Sequence, residues 1–164
     1  MKSLIFNSAS PLDTQAFAAL LAACLNGGEI IFFDGPIGAG KTVMVSGIAA
    51  AFGFKKRPTS ASFSLMKKYK NKNRTIYHID LFRLCGGEMF NLGFEEMLED
   101  EAAIILAEWP KAAADFFPKD RLEITISLKK SNGRKITLKA KGPKTQEVLK
   151  CLKSKLTIKS KLAK

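Results

Sequence analysis

The sequence predicts a single α/β domain, because short apolar strands and helices alternate along most of its 164 residues. The strongest observation is a strand, a glycine-rich loop and a helix in direct succession between Glu29 and Ala51. A second is a β-hairpin near the end, where two alternating strands flank Asn132-Gly133, a favoured two-residue turn. A third is the 46% hydrophobic content without any apolar run as long as a membrane span.

Two elements precede the glycine-rich loop. Residues 4–6, Leu-Ile-Phe, predict a short edge strand and are too few for the apolar core of a signal peptide. Ser10 then suits a helix N-cap, Pro11 the first helical turn, and Asp13 the positive end of the helix dipole. The residues expected to face the core from this helix are Phe17, Leu20, Leu21, Cys24 and Leu25.

Residues 35–42 fit the pattern Gly, four residues, Gly-Lys-Thr, which is typical of a phosphate-binding loop between a strand and a helix. Glycines let backbone N–H groups approach phosphate oxygens, and the start of the next helix adds partial positive charge. Lys41 is predicted to reach the terminal phosphates, and the Thr42 hydroxyl to ligate Mg²⁺. The predicted nucleotide-binding residues of this segment are Gly35, Pro36, Ile37, Gly38, Ala39, Gly40, Lys41, Thr42 and Val43, of which Pro36 has no N–H to donate.

Two later strands each end at a carboxylate. Residues 74–79 precede Asp80, and the apolar residues 102–107 precede Glu108. An acidic residue at a strand end, downstream of a phosphate loop, suits Mg²⁺ or the orientation of an attacking water. His78, the single histidine, is expected to pack in or beside its strand rather than transfer protons.

The middle segments carry weaker signals. The hydroxyl-rich residues 55–64 predict either a loop that senses the terminal phosphate or a plain connector. A strand is expected over 63–69, and one or two acidic helices over 88–101. Trp109 suits the core, a partner contact or a lid, and Pro110 suits the first turn of a helix.

The formal net charge of +12 is confined to the end of the sequence. Residues 1–128 hold 14 basic and 14 acidic side chains, whereas 129–164 hold 13 basic residues and one acid, Glu147. A last helix is predicted over 143–152, and the lysine-rich residues beyond it are expected to be frayed or disordered. This basic segment is either a solubilising extension or an electrostatic contact for nucleic acid.

The three cysteines, Cys24, Cys85 and Cys151, lie far apart and have no paired spacing. An odd and scattered set predicts reduced thiols in the cytoplasm, and argues against a zinc site.

Four segments together resemble the TsaE family, also called YjeE, in order and spacing. They are the phosphate loop 35–42, Thr-Ser-Ala-Ser-Phe-Ser-Leu at 59–65, Tyr-His-Ile-Asp-Leu-Phe-Arg-Leu at 77–84, and Glu-Trp-Pro at 108–110. The resemblance covers about residues 10–142. The chain departs from the family at Pro36, where Asp is usual, and at Ser60-Ala61-Ser62, where Ser-Pro-Thr is usual.

The resemblance implies a P-loop NTPase-like three-layer sandwich, with a mostly parallel sheet and an antiparallel C-terminal hairpin. It implies an ATPase domain, which we place over 1–142. The basic helix or tail expected over 143–164 comes from the composition and is not a feature of the family. The implied activity is binding and slow hydrolysis of ATP with Mg²⁺, in support of N6-threonylcarbamoyladenosine modification of tRNA. The implied partners are TsaD and TsaB. We expect tRNA to be reached indirectly, or through the basic tail because of its charge, and we expect neither a membrane nor DNA as a partner.

Carried over residue by residue, the resemblance implies catalytic roles for Lys41, Asp80 and Glu108. It implies Thr42, Asp80 and Glu108 as the metal ligands. Thr59 and Ser60 would belong to a mobile loop near the nucleotide. The further implied nucleotide contacts are Thr14 and Arg134.

Two other functions stay open on the residues alone. A small-molecule kinase uses the same phosphate loop, although the sequence shows no arginine-rich lid and the acidic residues 88–101 would repel an anionic acceptor. A nucleotide-gated RNA-binding module would depend on the basic segment. A GTPase is disfavoured, because residues 71–74, Asn-Lys-Asn-Arg, lack the aspartate of the guanine-reading Asn-Lys-X-Asp pattern.

Overall fold

A seven-stranded sheet with the strand order β1-β7-β6-β2-β5-β4-β3 forms the centre of the protein. The computed structural model describes residues 2–55, 65–82, 93–130 and 133–162, without the side chains of residues 112 and 162. The strands are β1 (Ser3–Ser8), β2 (Ile30–Asp34), β3 (Met66–Lys70), β4 (Thr75–Asp80), β5 (Ile104–Glu108), β6 (Leu122–Leu128) and β7 (Arg134–Ala140). The helices are α1 (Pro11–Ala22), α2 (Lys41–Ala51), α3 (Phe94–Glu99) and α4 (Pro143–Leu162), and a 3-10 helix spans Pro110–Phe116.

The middle of the sheet is parallel and its two edges are antiparallel. Strand β2 pairs parallel with β5 and β6, and β5 pairs parallel with β4. The hairpin β6–β7 and the edge strand β1 are antiparallel, as is β3 on β4. The predicted fold class, with its mostly parallel centre, C-terminal hairpin and edge strand, is therefore confirmed.

The sheet is covered by helices on both faces, which completes three layers. Alternate residues of a strand point to opposite faces. In β2, Ile31 and Phe33 join the core cluster that includes α1, α2 and α4, whereas Ile30 and Phe32 join the cluster that includes α3 and the 3-10 helix. Strand β2 is buried from both sides, which explains its continuous apolar sequence.

Helix α1 fixes the position of α2, the helix that follows the glycine-rich loop. The predicted cap is confirmed, since the Ser10 hydroxyl accepts a hydrogen bond from the Asp13 backbone N–H at 3.1 Å. Gly47 lets the two helices approach closely, because a Cβ there would lie 2.6 Å from the Cβ of Ala18. The fully buried Phe17 of α1 adds to the same core cluster.

Helix α4 corrects the expectation of a disordered tail, because it runs for 20 residues from Pro143 to Leu162. Its apolar residues Val148, Leu149 and Leu152 are buried in the core that also includes α1. Lysine content suggested disorder, but lysine and leucine are also good helix formers, and the buried turns hold the start of the helix in place.

The cysteine prediction is wrong for two of the three residues. Cys24 and Cys151 are joined by a disulfide, at a sequence separation of 127. Sequence spacing did not reveal the pair because Cys24 lies just beyond the C-cap of α1, and only the packing of α4 on the core brings Cys151 beside it. Cys85 lies outside the described residues.

Several boundaries differ from the expected ones. Strand β3 begins at Met66 rather than at residue 63, and the described part of the acidic segment 88–101 contains α3. The predicted helix at Pro110 is present as a 3-10 helix. Within the described ranges, no helix is both long and apolar enough to cross a bilayer.

Candidate nucleotide-binding site

The glycine-rich loop joins the end of β2 to the start of α2. Helix α2 begins at Lys41, so Lys41 and Thr42 occupy its first turn. Gly40 is the N-cap with φ +107°, and no side chain caps the helix there. Gly35 has φ +144°, and a Cβ on it would collide with the carbonyl oxygen of Ile126. Glycine is therefore required where the loop passes β6.

Lys41 is held inside the loop by three groups. Its Nζ donates hydrogen bonds to the carbonyl oxygens of Gly35 at 2.7 Å and Pro36 at 3.1 Å. The same Nζ lies 3.7 Å from the centre of the Trp109 ring, within the range of a cation–π interaction. Trp109 adopts a left-handed backbone conformation, with φ 59°, directly after β5.

Burial lowers the pKa of Lys41 below the ordinary lysine value, and the nearby carboxylates of Glu108, Asp34 and Asp80 act in the opposite direction. Desolvation is the larger of these effects. The Lys41 side chain is thus a partly desolvated cation next to three acidic groups.

Glu108 connects the loop to the sheet. The Thr42 hydroxyl donates to its Oε1 at 3.0 Å and lies 3.4 Å from its Oε2. On the other side, Nε2 of His78 lies 3.0 Å from Oε1 of Glu108. The carboxylate accepts, so the imidazole donates through Nε2. His78 is fully buried, and its Nδ1 has no hydrogen-bond partner among the described residues.

The ends of β2, β4 and β5 bring three carboxylates to one edge of the sheet. In the strand register, Asp80 pairs with Glu108, and Glu108 pairs with Phe33, the neighbour of Asp34. Asp80 is buried and accepts a hydrogen bond from the Phe82 N–H at 3.1 Å. Asp34 accepts from the Gly35 N–H at 2.9 Å.

A cleft of about 410 Å³ opens in front of these groups. Its lining combines the loop, the start of α2, two strand-end carboxylates and two aromatic rings. The lining residues are Ile37, Gly38, Gly40, Lys41, Thr42, Val43, Asp80, Phe82, Glu108 and Trp109. The rings of Phe82 and Trp109 are 4.9 Å apart.

The remaining candidate residues have different positions. Arg134 lies against the loop, because its Nε donates to the Ala39 carbonyl at 3.2 Å. Thr14 does not line the cleft. It is fully buried in α1, where its hydroxyl lies 2.7 Å from the hydroxyl of Ser8. The predicted loop residues Thr59 and Ser60 lie outside the described residues.

Sequence reasoning missed three contacts of this site. The notable one is His78 as a partner of Glu108, because only the pairing of β4 with β5 brings the two together. Contact of Trp109 with Lys41 was also missed, although the tryptophan directly follows a strand-end carboxylate. Asp34 had a visible signal, since it is a carboxylate at the end of a buried strand directly before the first glycine of the loop.

The oxygens of the cleft fit Mg²⁺ better than a transition metal. Thr42, Asp80 and Glu108 all line it, and the first and last are hydrogen-bonded to each other. In the described part of the chain, no cluster of three or more His, Cys, Asp or Glu side chains is arranged for a metal. Mg²⁺ is often held by one or two carboxylates together with substrate phosphates and waters, so such a cluster is not needed.

A strand, glycine-rich loop and helix at the carboxyl ends of parallel strands, with Lys-Thr in the first helical turn, define a phosphate-loop α/β protein. Residues 8–136 match the model of the family described as "Threonylcarbamoyl adenosine biosynthesis protein TsaE". The chain belongs to the TsaE family, and the resemblance found in the sequence is confirmed.

Relatives and a solved structure agree with this assignment. The chain is 32% identical to the tRNA threonylcarbamoyladenosine biosynthesis protein TsaE of Bacillus subtilis, over 87% of this chain and 89% of the relative. It is 36% identical to the protein of the same name from Rickettsia felis, over 74% of this chain and 71% of the relative. The crystal structure of Bacillus subtilis YdiB superposes with a TM-score of 0.79 at 28% identity, covering 93% of this chain and 95% of that one.

Proposed function

We propose that this protein binds ATP with Mg²⁺ in the cleft and hydrolyses it slowly, to support threonylcarbamoyladenosine modification of tRNA together with TsaD and TsaB. The tRNA role follows from the family and from the names of its relatives. The observation that carries the ATPase proposal is that the ammonium of Lys41, the hydroxyl of Thr42 and the carboxylate of Glu108 meet in one cleft beside the loop.

The loop is suited to phosphate oxygens. Lys41 donates to two backbone carbonyls, and phosphate oxygens would be stronger acceptors because they are charged. The first turn of α2 has a glycine N-cap without a side-chain cap, so its N–H groups suit an anion. A bound polyphosphate would also offset the desolvation cost of burying the Lys41 charge.

The carboxylates and the Thr42 hydroxyl would hold the metal. Thr42 and Glu108 would ligate Mg²⁺ directly, and Asp80 would hold the metal or its waters. When bound at these residues, Mg²⁺ would supply positive charge beside the phosphates. Asp80 and Glu108 both line the cleft, so a carboxylate oxygen of either can accept a hydrogen bond from the attacking water.

Exposed apolar side chains at the rim of the cleft support the proposal that turnover depends on a partner protein. Ile37 is 77% exposed and Phe82 is 55% exposed, and both line the cleft. Exposed apolar side chains beside a polar site are typical of a surface that another protein covers. In this proposal, the TsaD–TsaB complex covers the rim and excludes water from the cleft, which raises a slow intrinsic turnover.

A reconstituted reaction tests the proposal. It contains this protein, TsaD, TsaB, unmodified tRNA, the threonylcarbamoyl donor and ATP with Mg²⁺. Lys41→Ala is expected to lower the rate of tRNA modification by at least about 100-fold, since one charge-assisted contact in the transition state is worth several kcal/mol. Thr42→Ala is expected to lower this rate by a similar factor. Lys72→Ala, which removes an exposed lysine near the β3–β4 turn, is the matched control and is expected to leave activity unchanged.

Full activity of Lys41→Ala would overturn the proposal. Phosphate analysis of the same reaction separates hydrolysis from phosphoryl transfer. An ATPase releases inorganic phosphate in the same amount as ADP, whereas a kinase forms ADP and leaves the phosphate on an acceptor.

A further inference from the structure

We propose that the outer turns of α4 bind the phosphate backbone of folded RNA. Here the outer turns are residues 153–161. The expected RNA is tRNA, and that choice rests on the proposed function. The charge and exposure of the outer turns carry the rest of the inference.

Charge is concentrated on this helix. Helix α4 contains six lysines and one acid, Glu147. That single acid is already paired with Lys150, at 2.6 Å. Lys144 already makes an intramolecular hydrogen bond, because its Nζ donates to the Gly28 carbonyl at 3.2 Å. The lysines of the outer turns are Lys153, Lys155, Lys159 and Lys161.

The end of α4 extends beyond the body of the protein. Leu152 is fully buried and Leu156 is half-buried, but every residue from Thr157 to Lys161 is exposed. Five consecutive residues cover more than one helical turn, so no side of this turn is packed against the body. Lys159 and Lys161, the two lysines of this turn, are therefore accessible to a large anion. The rise from Lys153 to Lys161 is about 12 Å, along which duplex phosphates are dense.

The composition of the outer turns favours nucleic acid over a membrane surface. A helix that lies in the membrane interface needs a broad exposed apolar face with bulky residues. In α4 the apolar residues Val148, Leu149 and Leu152 are buried in the core, and Ile158 is its one exposed large apolar residue among the described side chains. Lysines without such a face suit a solvated polyanion.

The same helix predicts which part of the RNA it contacts. The sequence of α4 contains no aromatic residue and no arginine, the side chains that stack on unpaired bases. Lysine is a flexible point charge that suits phosphate oxygens. The outer turns should therefore bind RNA with little sequence preference and strong salt dependence.

A charge-matched pair of variants tests the inference. The helix variant replaces three exposed lysines of the outer turns with glutamine, a similar helix former. Its substitutions are Lys153→Gln, Lys159→Gln and Lys161→Gln. The control variant removes the same charge from three exposed lysines near the opposite edge of the sheet, where Asn71 donates to the Phe52 carbonyl. Its substitutions are Lys55→Gln, Lys70→Gln and Lys72→Gln.

Fluorescence anisotropy with a labelled tRNA transcript gives the dissociation constant from 50 to 200 mM salt. The helix variant is expected to bind on the order of tenfold more weakly at the lowest salt, because it loses about three phosphate contacts. The slope of log K against log salt should fall by about two to three, roughly one per lost contact. The control variant should match the unchanged protein in both measures. Circular dichroism checks that both variants keep their helix content.

Three outcomes would overturn the inference. One is no tRNA binding by the unchanged protein at the lowest salt, and another is equal weakening in both variants. The third is tighter binding of phosphatidylserine vesicles than of tRNA, which would assign the outer turns to a membrane. ATP titration of the same proteins separates this inference from the proposed function. Failure to bind ATP would refute the ATPase proposal. Loss of tRNA binding in the helix variant alone would still support RNA binding by the outer turns.

Discussion

Replacing Glu108 should separate its structural role from its chemical one. The Glu108 carboxylate accepts the hydrogen bond from His78, whose side chain is 0% exposed and whose other ring nitrogen has no partner among the described residues. Glu108→Ala removes that acceptor and leaves a buried imidazole without a described partner on either nitrogen. Leaving such a group unsatisfied costs about 1–3 kcal/mol.

This free energy predicts a measurable change in thermal stability. For a domain of this size, 1 kcal/mol lowers Tm by about 2–4 °C, so Glu108→Ala should lower Tm by about 2–12 °C. Glu108→Gln keeps an acceptor oxygen for His78, and its Tm should fall by less than half as much. Both variants lose the carboxylate charge, so both should lose ATP turnover in the reconstituted reaction, and turnover should fall more than nucleotide binding.

Thermal unfolding without nucleotide and single-turnover hydrolysis measure the two effects. If Glu108→Gln is destabilised as much as Glu108→Ala, the hydrogen bond to His78 is not the cause of the lost stability. Full turnover by either variant would refute the role of the carboxylate charge. Equal loss of binding and turnover would make Glu108 a binding or folding residue only.

Two further predictions concern backbone and cross-links. Gly35→Ala should destabilise the protein by about 1–3 kcal/mol or more and abolish nucleotide binding, because its Cβ would collide with a strand carbonyl. Gly38→Ala is the comparison, since a Cβ there meets nothing within 4 Å, and calorimetric titration of both should show the smaller loss at Gly38. Reducing the disulfide of Cys24 and Cys151 should lower the free energy of unfolding by about 2–4 kcal/mol, measured by urea denaturation. Cys24→Ser should abolish this difference between reducing and oxidising conditions, and a difference that persists would contradict the assignment.

Local signals predicted the elements that local chemistry determines. Ser10 predicted the start of α1, because a hydroxyl before a helical pattern satisfies a free backbone N–H. The Asn132-Gly133 dipeptide predicted the β6–β7 pairing, which the register confirms, although Asn132 itself lies outside the described residues. Glycine spacing predicted the loop between β2 and α2, because few other sequences allow this backbone.

Long-range packing determined what the sequence could not predict. His78 and Glu108 are 30 residues apart, and only the pairing of β4 with β5 makes them neighbours. The disulfide depends in the same way on α4 packing near the end of α1, which no spacing pattern records. Lysine-rich composition predicted disorder after residue 152, but burial of Leu152 and partial burial of Leu156 support a continuous helix.

Some site residues stay predictions. Thr14 is enclosed in α1 beside Ser8 and does not line the cleft, so a nucleotide contact there would require a change in this region. Thr59 and Ser60 lie outside the described residues. By contrast, the catalytic candidates Lys41 and Asp80 share the cleft, as strand order and loop geometry require.

Isothermal titration calorimetry of the unchanged protein with ATP and Mg²⁺ tests most directly whether the cleft holds a triphosphate. We expect saturable binding of one ATP per chain, weakened at least about tenfold by Lys41→Ala, which removes a charge-assisted contact. No uptake of ATP or ADP by the folded protein, or equal uptake by Lys41→Ala, would contradict it.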